Sequence, residues 1–341
     1  MQQLIKICIA IILVFCSIGY SIIPVFAKDN SVGYSVRAII PDNQIDKNQT
    51  YFDLKMKPKQ KQTLYIEIFN STNEPIEINC HITNAVTNRN GLIDYTNLNP
   101  KLDDTLLYPM TEIAKLKEDK VSVPAGQTRV VPVYLNMPTD PFDGVILGGI
   151  YFEKNVDEKE TKDDSVQITN KYAYVIGLKL TETNRNMKPE LHLKSVEPSL
   201  VNYRHAIIAP IQNRHPVIID HLKIDAKVLD ARGQVVHEQH VKDYRMAPNS
   251  TMEFVMDWNH NKFHPGTYTL ILHASNGKQE WKWEEAFEIA KAEAKQLNKG
   301  AVQDNKDMTI YMIIGLSIVI IILFIILIKL KKENNQLKKR S

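Results

Sequence analysis

Three runs of the chain alternate between apolar and polar positions. Ile76, Ile78, Cys80 and Ile82 interleave with Glu77, Asn79, His81 and Thr83; Leu222, Ile224, Ala226 and Val228 interleave with His221, Lys223, Asp225 and Lys227; and Tyr268, Leu270, Leu272 and Ala274 interleave with Thr269, Ile271 and His273. A period of two places one face of a strand in a core and the other in water. Turn formers separate such runs: Pro124 with Gly126, Arg232-Gly233, Pro265-Gly266 and Asn276-Gly277. The last predicts a hairpin joining residues 270–274 to 281–283. One helix is predicted before the C-terminal segment, around Met110, Ile113 and Leu116 after Pro109. Many short, evenly spaced strands predict an all-β fold of two tandem immunoglobulin-like β-sandwich domains.

The two ends break this pattern. Residues 308–328 hold no charge, and about 20 apolar residues rise about 30 Å as a helix, enough to cross a bilayer. Lys329, Lys331, Lys332, Lys338, Lys339 and Arg340 follow, opposed only by Glu333. This predicts a single-pass protein of the cell membrane, its basic tail (329–341) cytoplasmic and its N-terminal bulk outside. Residues 1–27 carry Lys6, an apolar run over 7–15 and the close Val25-Phe26-Ala27, the layout of a signal peptide. The polar run 183–189 predicts a boundary between domains 28–183 and 184–290. The polar run 157–164 sits between two strand-like stretches and predicts a long hairpin loop inside the first domain. Residues 291–307, rich in Ala, Glu, Lys and Gln, are expected to form a stalk.

Charge and cysteine then narrow the function. Removing Lys6 and the six tail cations from 42 Lys and Arg, and Glu333 from 39 Asp and Glu, leaves the ectodomain near −3. That offers no basic face for nucleic acid. Cys8 and Cys16 fall within the signal, so Cys80 stands alone in the mature chain and no internal disulfide is expected. Cys80 lies on the apolar face of its strand, which predicts a buried, inert thiol.

No enzyme is predicted. His237-Glu238-Gln239-His240 lacks the i, i+4 histidine spacing of a helical zinc site; at i, i+3 on a strand the two rings point to opposite faces, and a solvated strand end is expected. Ser275-Asn276-Gly277-Lys278 falls in a turn, not at the helix start that an S-x-x-K nucleophile needs. Asp103-Asp104 is expected to serve capping and solvation. No cofactor or metal motif occurs.

Two clusters are candidates for binding. Asn84, Thr87, Asn88, Arg89, Asn90, Gly91, Asp94 and Tyr95 are turn formers, yet the same groups suit sugar hydroxyls, with Tyr95 as a stacking face. Asn88, Asn90, Asp94 and Tyr95 are the candidate glycan contacts. Phe142 and Asp143 precede Gly148-Gly149 inside an apolar strand, and interior glycines mark close approach of another backbone, either a partner's or the chain's own. Phe142, Asp143, Gly148 and Gly149 are the candidate partner contacts. Trp281 and Trp283 share a face and are expected to pack on the core.

Longer motifs carry a family resemblance. They are Tyr34-Ser35-Val36-Arg37-Ala38-Ile39-Ile40-Pro41-Asp42-Asn43-Gln44; Tyr51-Phe52-Asp53-Leu54 with Met56 and Pro58; Ala85-Val86-Thr87-Asn88 through Gly91-Leu92-Ile93-Asp94-Tyr95; and Phe142-Asp143-Gly144 with Gly148-Gly149. The second half adds Asn170-Lys171-Tyr172-Ala173-Tyr174, Pro265-Gly266-Thr267-Tyr268, Trp281, Trp283 and Phe287. Together they resemble the WxL-interacting proteins of Gram-positive bacteria. The resemblance implies a first domain that binds peptidoglycan and a second that engages host extracellular ligands or surface partners, in association with a WxL-domain protein. The chain has no Trp-x-Leu of its own, so it would be the anchored partner. The rival expectation is an immunoglobulin-like assembly chaperone donating a strand from residues 144–152 to a client.

Overall fold

A computed structural model describes residues 32–155, 172–258, 261–302 and 306–338. The expected signal peptide, the loop at 157–164, the Asn170-Lys171 motif, residues 303–305 and the last three tail residues lie outside the described residues. The chain divides into two compact units, Val32–Val302 and one holding the C-terminal helix.

The first unit contains two sandwiches. In the first, one sheet runs β1 (Tyr34–Ile39), β3 (Lys61–Asn70), β9 (Thr128–Asn136), β7 (Ala114–Leu116). Its partner runs β2 (Phe52–Lys55), β11 (Ala173–Thr181), β10 (Ile146–Lys154), β4 (Ile76–Asn84), β8 (Lys120–Val123). Alternation decides what points inward: Leu64, Ile66 and Ile68 from β3 meet Ile78 and Cys80 from β4 and Ile150 and Phe152 from β10, all fully or almost fully buried. Each such side chain stabilises the fold by about 1.5–3 kcal/mol. Burial pushes the Cys80 thiol up to about 12, with the Asp119 carboxylate adding to the shift. β10 and β11 pair antiparallel from Ile146↔Leu180 to Glu153↔Ala173.

In the second sandwich, β14 (Arg204–Asn213) pairs with β12 (Leu191–Leu193), β13 (Glu197–Val201) and β17 (Ser250–Asp257). The other sheet runs β16 (Val235–Met246), β15 (Ile219–Asp230), β18 (Gly266–Ser275), β19 (Glu280–Ile289). The β18–β19 turn is the Asn276-Gly277 hairpin: Gly277 adopts φ +80, and the Asn276 side chain accepts the amides of Lys278 and Gln279. Trp281 and Trp283 pack, half-buried, against the second core.

Three expectations need correction. The helix near residue 110 is a single turn, α1 (Met110–Ile113), without a side-chain cap; at Ala114 the backbone turns extended and continues as β7 beside β9. His237 is not solvated: its ring is buried and sits 5.2 Å from Trp258, while His240 faces out and meets Asp225 at 2.6 Å. The expected stalk contains α2 (Lys291–Gly300), which packs on the second sandwich through buried Ala294 and through Leu297. Asn298 pins it by accepting the Phe263 amide and donating to the Phe263 carbonyl, both at 2.9 Å.

The second unit holds α3 (Lys306–Lys338), which runs past 328 into the basic segment. Residues Tyr311–Leu330 form the one stretch, among the described residues, long and apolar enough to cross a membrane.

Candidate functional site

The asparagine-rich segment leaves the first sandwich after β4 and lies on the second. Its two short strands, β5 (Val86–Thr87) and β6 (Ile93–Asp94), close a hairpin whose turn depends on Asn88. Asn88 Oδ1 accepts the amides of Asn90 and Leu92, and Gly91 takes φ +67, where a side chain would be strained. The hairpin is held across the junction at several points. Thr87 Oγ1 lies 2.6 Å from Ser250 Oγ and accepts the Ala247 amide. The Arg245 amide donates to the Gly91 carbonyl at 2.7 Å, and Arg89 Nε donates to Glu253 at 2.7 Å. A side chain at Gly91 would strike the Tyr244 ring.

A small apolar core seals the same junction. Ala85, Leu147 and Ala247 are buried there, with Ile93, Tyr95, Val145 and Ile218 packed around them. Beyond it, Asp103 gathers four donors: the Thr105 amide and hydroxyl, Gln212 Nε2 at 2.7 Å and the Thr251 hydroxyl. Burial alone would raise this carboxyl, but the four hydrogen bonds win and hold it down at about 2. Asp104 accepts the same Gln212 amide at 2.8 Å. The Asp103-Asp104 pair therefore joins the two sandwiches instead of capping a helix.

Each residue singled out from the sequence now has a place. Asn88 spends its side-chain oxygen on the turn. Asn90 is exposed at the hairpin tip. Asp94 Oδ1 accepts the Thr96 amide and hydroxyl, both at 2.7 Å. Tyr95 packs into the junction, and burial raises its phenol. Asn88 and Asp94 line a cleft of about 720 Å³ between the loop and the second sandwich, whose walls also carry Arg89, Lys101, Lys194 and Glu253.

Phe142 packs against the Tyr108 ring at 6.0 Å, and its amide donates to Glu182. Asp143 accepts Thr183 Oγ1 at 2.6 Å and Arg185 Nη1 at 2.9 Å, which together hold its carboxyl below the usual range. Both residues line a second cavity of about 330 Å³. Gly148 and Gly149 lie elsewhere, inside β10, which is paired on both sides with β4 and β11. A Cβ on Gly148 would meet the Thr83 carbonyl and the Met110 side chain; one on Gly149 would meet the side chains of Val175, Thr83 and Tyr95. The close approach at these glycines is thus made by the chain itself.

The sequence reading missed a further surface. On the outer face of the β1-β3-β9-β7 sheet, Tyr65, Phe69 and Tyr134 stand exposed at 46%, 40% and 44%. Their signal was present, since Tyr65 and Phe69 alternate with buried Ile66 and Ile68 and so must point outward. Among the described residues, no group of three or more His, Cys, Asp or Glu is arranged to hold a metal ion.

Two family models match the chain in succession: the WxL Interacting Protein peptidoglycan binding domain over residues 34–154, and the WxL Interacting Protein host binding domain over residues 163–299. Both are binding domains. The second match begins ahead of β11, which hydrogen bonds into the first sandwich, so sheet membership and family boundary differ by one strand. No curated protein matches the sequence. Solved structures with some likeness include a chain of the CsuC–CsuE chaperone-tip adhesion subunit pre-assembly complex from Acinetobacter baumannii (11% identity, covering 74% of this chain and 97% of that one, TM-score 0.32). The YadV chaperone (9%, 75% and 100%, TM-score 0.31) and the E. coli chaperone DraB (12%, 75% and 98%, TM-score 0.28) are further examples. Likenesses at these scores carry no functional weight.

Proposed function

We propose a membrane-anchored scaffold of the Gram-positive cell surface as the function of this chain, which belongs to the WxL Interacting Protein family. The observation that carries the reading is the ordered pair of family matches, peptidoglycan binding and then host binding, followed by one apolar helix. In this reading the helix holds the protein in the membrane, with the basic residues after it on the cytoplasmic side and both sandwiches outside. The first sandwich contacts peptidoglycan. The second docks a WxL-domain surface protein, and host extracellular ligands are a further partner class. Confinement to the membrane raises the effective concentration of each weak contact, so modest affinities suffice.

A glycan contact made at the junction would fall on Asn90 and Asp94 at its rim, because Asn88 and Tyr95 hold the turn and the seal. Phe142 and Asp143, beside the smaller cavity, are the proposed partner contacts. Strand donation, the rival reading, is disfavoured because β10 has no free edge to exchange.

The test uses the full chain in detergent, because a fragment ending at Glu288 would lose Ile289, Ala294 and Leu297 from the second core. It is incubated with purified insoluble peptidoglycan and, separately, with a WxL-domain protein. Retention on both supports the scaffold. Retention on the protein alone removes direct wall contact from the proposal, and retention on neither refutes it.

A further inference from the structure

The β1-β3-β9-β7 sheet turns one face to the core, and among the described residues nothing covers the other. The strand registers arrange the outer face in rows. Ile39, Tyr65 and Pro132 are opposite one another across β1, β3 and β9; the next row holds Thr63 on β3, Tyr134 on β9 and Lys115 on β7. Tyr65 and Tyr134 are therefore diagonal neighbours, roughly 7–8 Å apart at the backbone, close enough for two rings to form one platform. Val130, 51% exposed, extends it toward Phe69. Single exposed apolar residues are ordinary; a contiguous group spanning three strands marks a contact surface.

The polar surroundings indicate what it contacts. Arg37 and Glu67 form an exposed ion pair between the Tyr65 and Phe69 rows. Lys61 and Lys115 sit exposed on the same face, so it carries more cations than anions although the ectodomain as a whole is slightly acidic. A glycan strand is amphipathic in the matching way. The C–H faces of its pyranose rings stack on aromatic side chains, its hydroxyl and acetamido groups take hydrogen bonds, and peptidoglycan adds carboxylates that suit a cationic rim.

We propose that this sheet face, centred on Tyr65 and Tyr134, is a stacking platform for the glycan strand of peptidoglycan. The proposal rests on the peptidoglycan reading above: every residue of the face lies within the span, 34–154, that matches the peptidoglycan binding domain. It places wall contact on a flat sheet and leaves the junction loop to join the sandwiches.

The experiment measures binding of the full chain in detergent to purified sacculi, intact and stripped of stem peptides by an amidase. The Tyr65→Ser/Tyr134→Ser pair is compared with wild type and with Tyr65→Phe/Tyr134→Phe. The expected result is wild-type binding to both preparations, a loss of about tenfold or more in the Ser pair at unchanged melting temperature, and retention in the Phe pair. A footprint on the wild type avoids dependence on the variants' folding: bound sacculi should protect Tyr65 and Tyr134 from nitration while Tyr203, exposed on the second sandwich, still reacts. Wild-type binding with no effect of the Ser pair and no protection overturns the platform and leaves wall binding intact. Binding to intact but not stripped sacculi also overturns it. Failure of wild type to bind any sacculi overturns both the platform and the peptidoglycan reading.

Discussion

Replacing Asp103 by Ala tests whether the two sandwiches act as one unit. The carboxylate accepts from Gln212 and Thr251 on the second sandwich and from Thr105 on its own loop. A hydrogen bond to a charged group contributes about 1.5–3 kcal/mol when buried. Asp103 is partly open to water, so screening reduces each cross-junction bond to about 1 kcal/mol and the pair to about 2 kcal/mol. Gln212 keeps Asp104 as an acceptor and is not orphaned. For a unit of this size, that loss lowers the melting temperature by roughly 4–8 °C. Calorimetry on the full chain in detergent is the assay. The wild-type ectodomain should melt in one transition, and Asp103→Ala should lower it and separate the two sandwiches. Thr251→Val combined with Asp103→Ala should be less than additive by about 1 kcal/mol. The carboxyl is held below its ordinary value of 3.8, at about 2, so its contribution is present above about pH 4 and is lost as pH falls through 2. Asp103→Asn should remove that acid-side slope. A single transition within about 1 °C of wild type in Asp103→Ala would refute the reasoning.

Two further predictions concern the same fold. Gly91→Ala and Gly233→Ala both force a side chain into left-handed backbone, but only Gly91 faces an obstacle, the Tyr244 ring, while Gly233 has open space. Gly233→Ala should cost about 1 kcal/mol and Gly91→Ala clearly more; equal melting temperatures would remove the Tyr244 contact from the account. His205 and His237 are buried, and burial lowers both imidazoles. Stability they contribute is complete above 6.5 and declines as pH falls below it, because the unfolded chain takes up protons that the folded one excludes. The wild-type melting temperature should fall between pH 7.5 and 5.5, and a flat profile would show that the rings titrate freely.

What the sequence made legible was the facing of its strands. Ile78, Cys80, Ile224, Ala226, Leu270 and Leu272 are inward because period-two burial is a local property, and the Asn276-Gly277 hairpin follows from backbone preferences of two adjacent residues. The single turn at Met110 was overread. Ile113 and Leu116 suit a helix stripe, but Leu116 belongs to a strand whose edge β9 completes, and tertiary pairing overrode propensity. Residues 291–300 did carry the signal for docking, Ala294 and Leu297 at helical spacing, yet two small contacts in a charged segment are a weak stripe. The junction left no periodic mark at all. Thr87 with Ser250 and Asp103 with Thr251 pair groups more than 140 residues apart, and asparagines that shape a turn are the same residue types that bind sugars.

That ambiguity has a physical resolution in how the two surfaces respond to change. The loop from residue 85 to 106 is committed to the second sandwich through backbone and side-chain hydrogen bonds and the Ala85–Leu147–Ala247 seal. Substitutions there alter the coupling between sandwiches, so any change in wall binding should travel with a change in melting. Tyr65 and Tyr134 are exposed on a sheet whose core face is already filled, and their removal leaves the packing of Leu64, Ile66, Val133 and Leu135 untouched. Changes on that face should alter binding without altering melting. A loop substitution at Asn90 or Asp94 that weakened sacculus binding at constant melting temperature would return the glycan contact to the junction, and one that moved both together would assign the loop to holding the sandwiches in register.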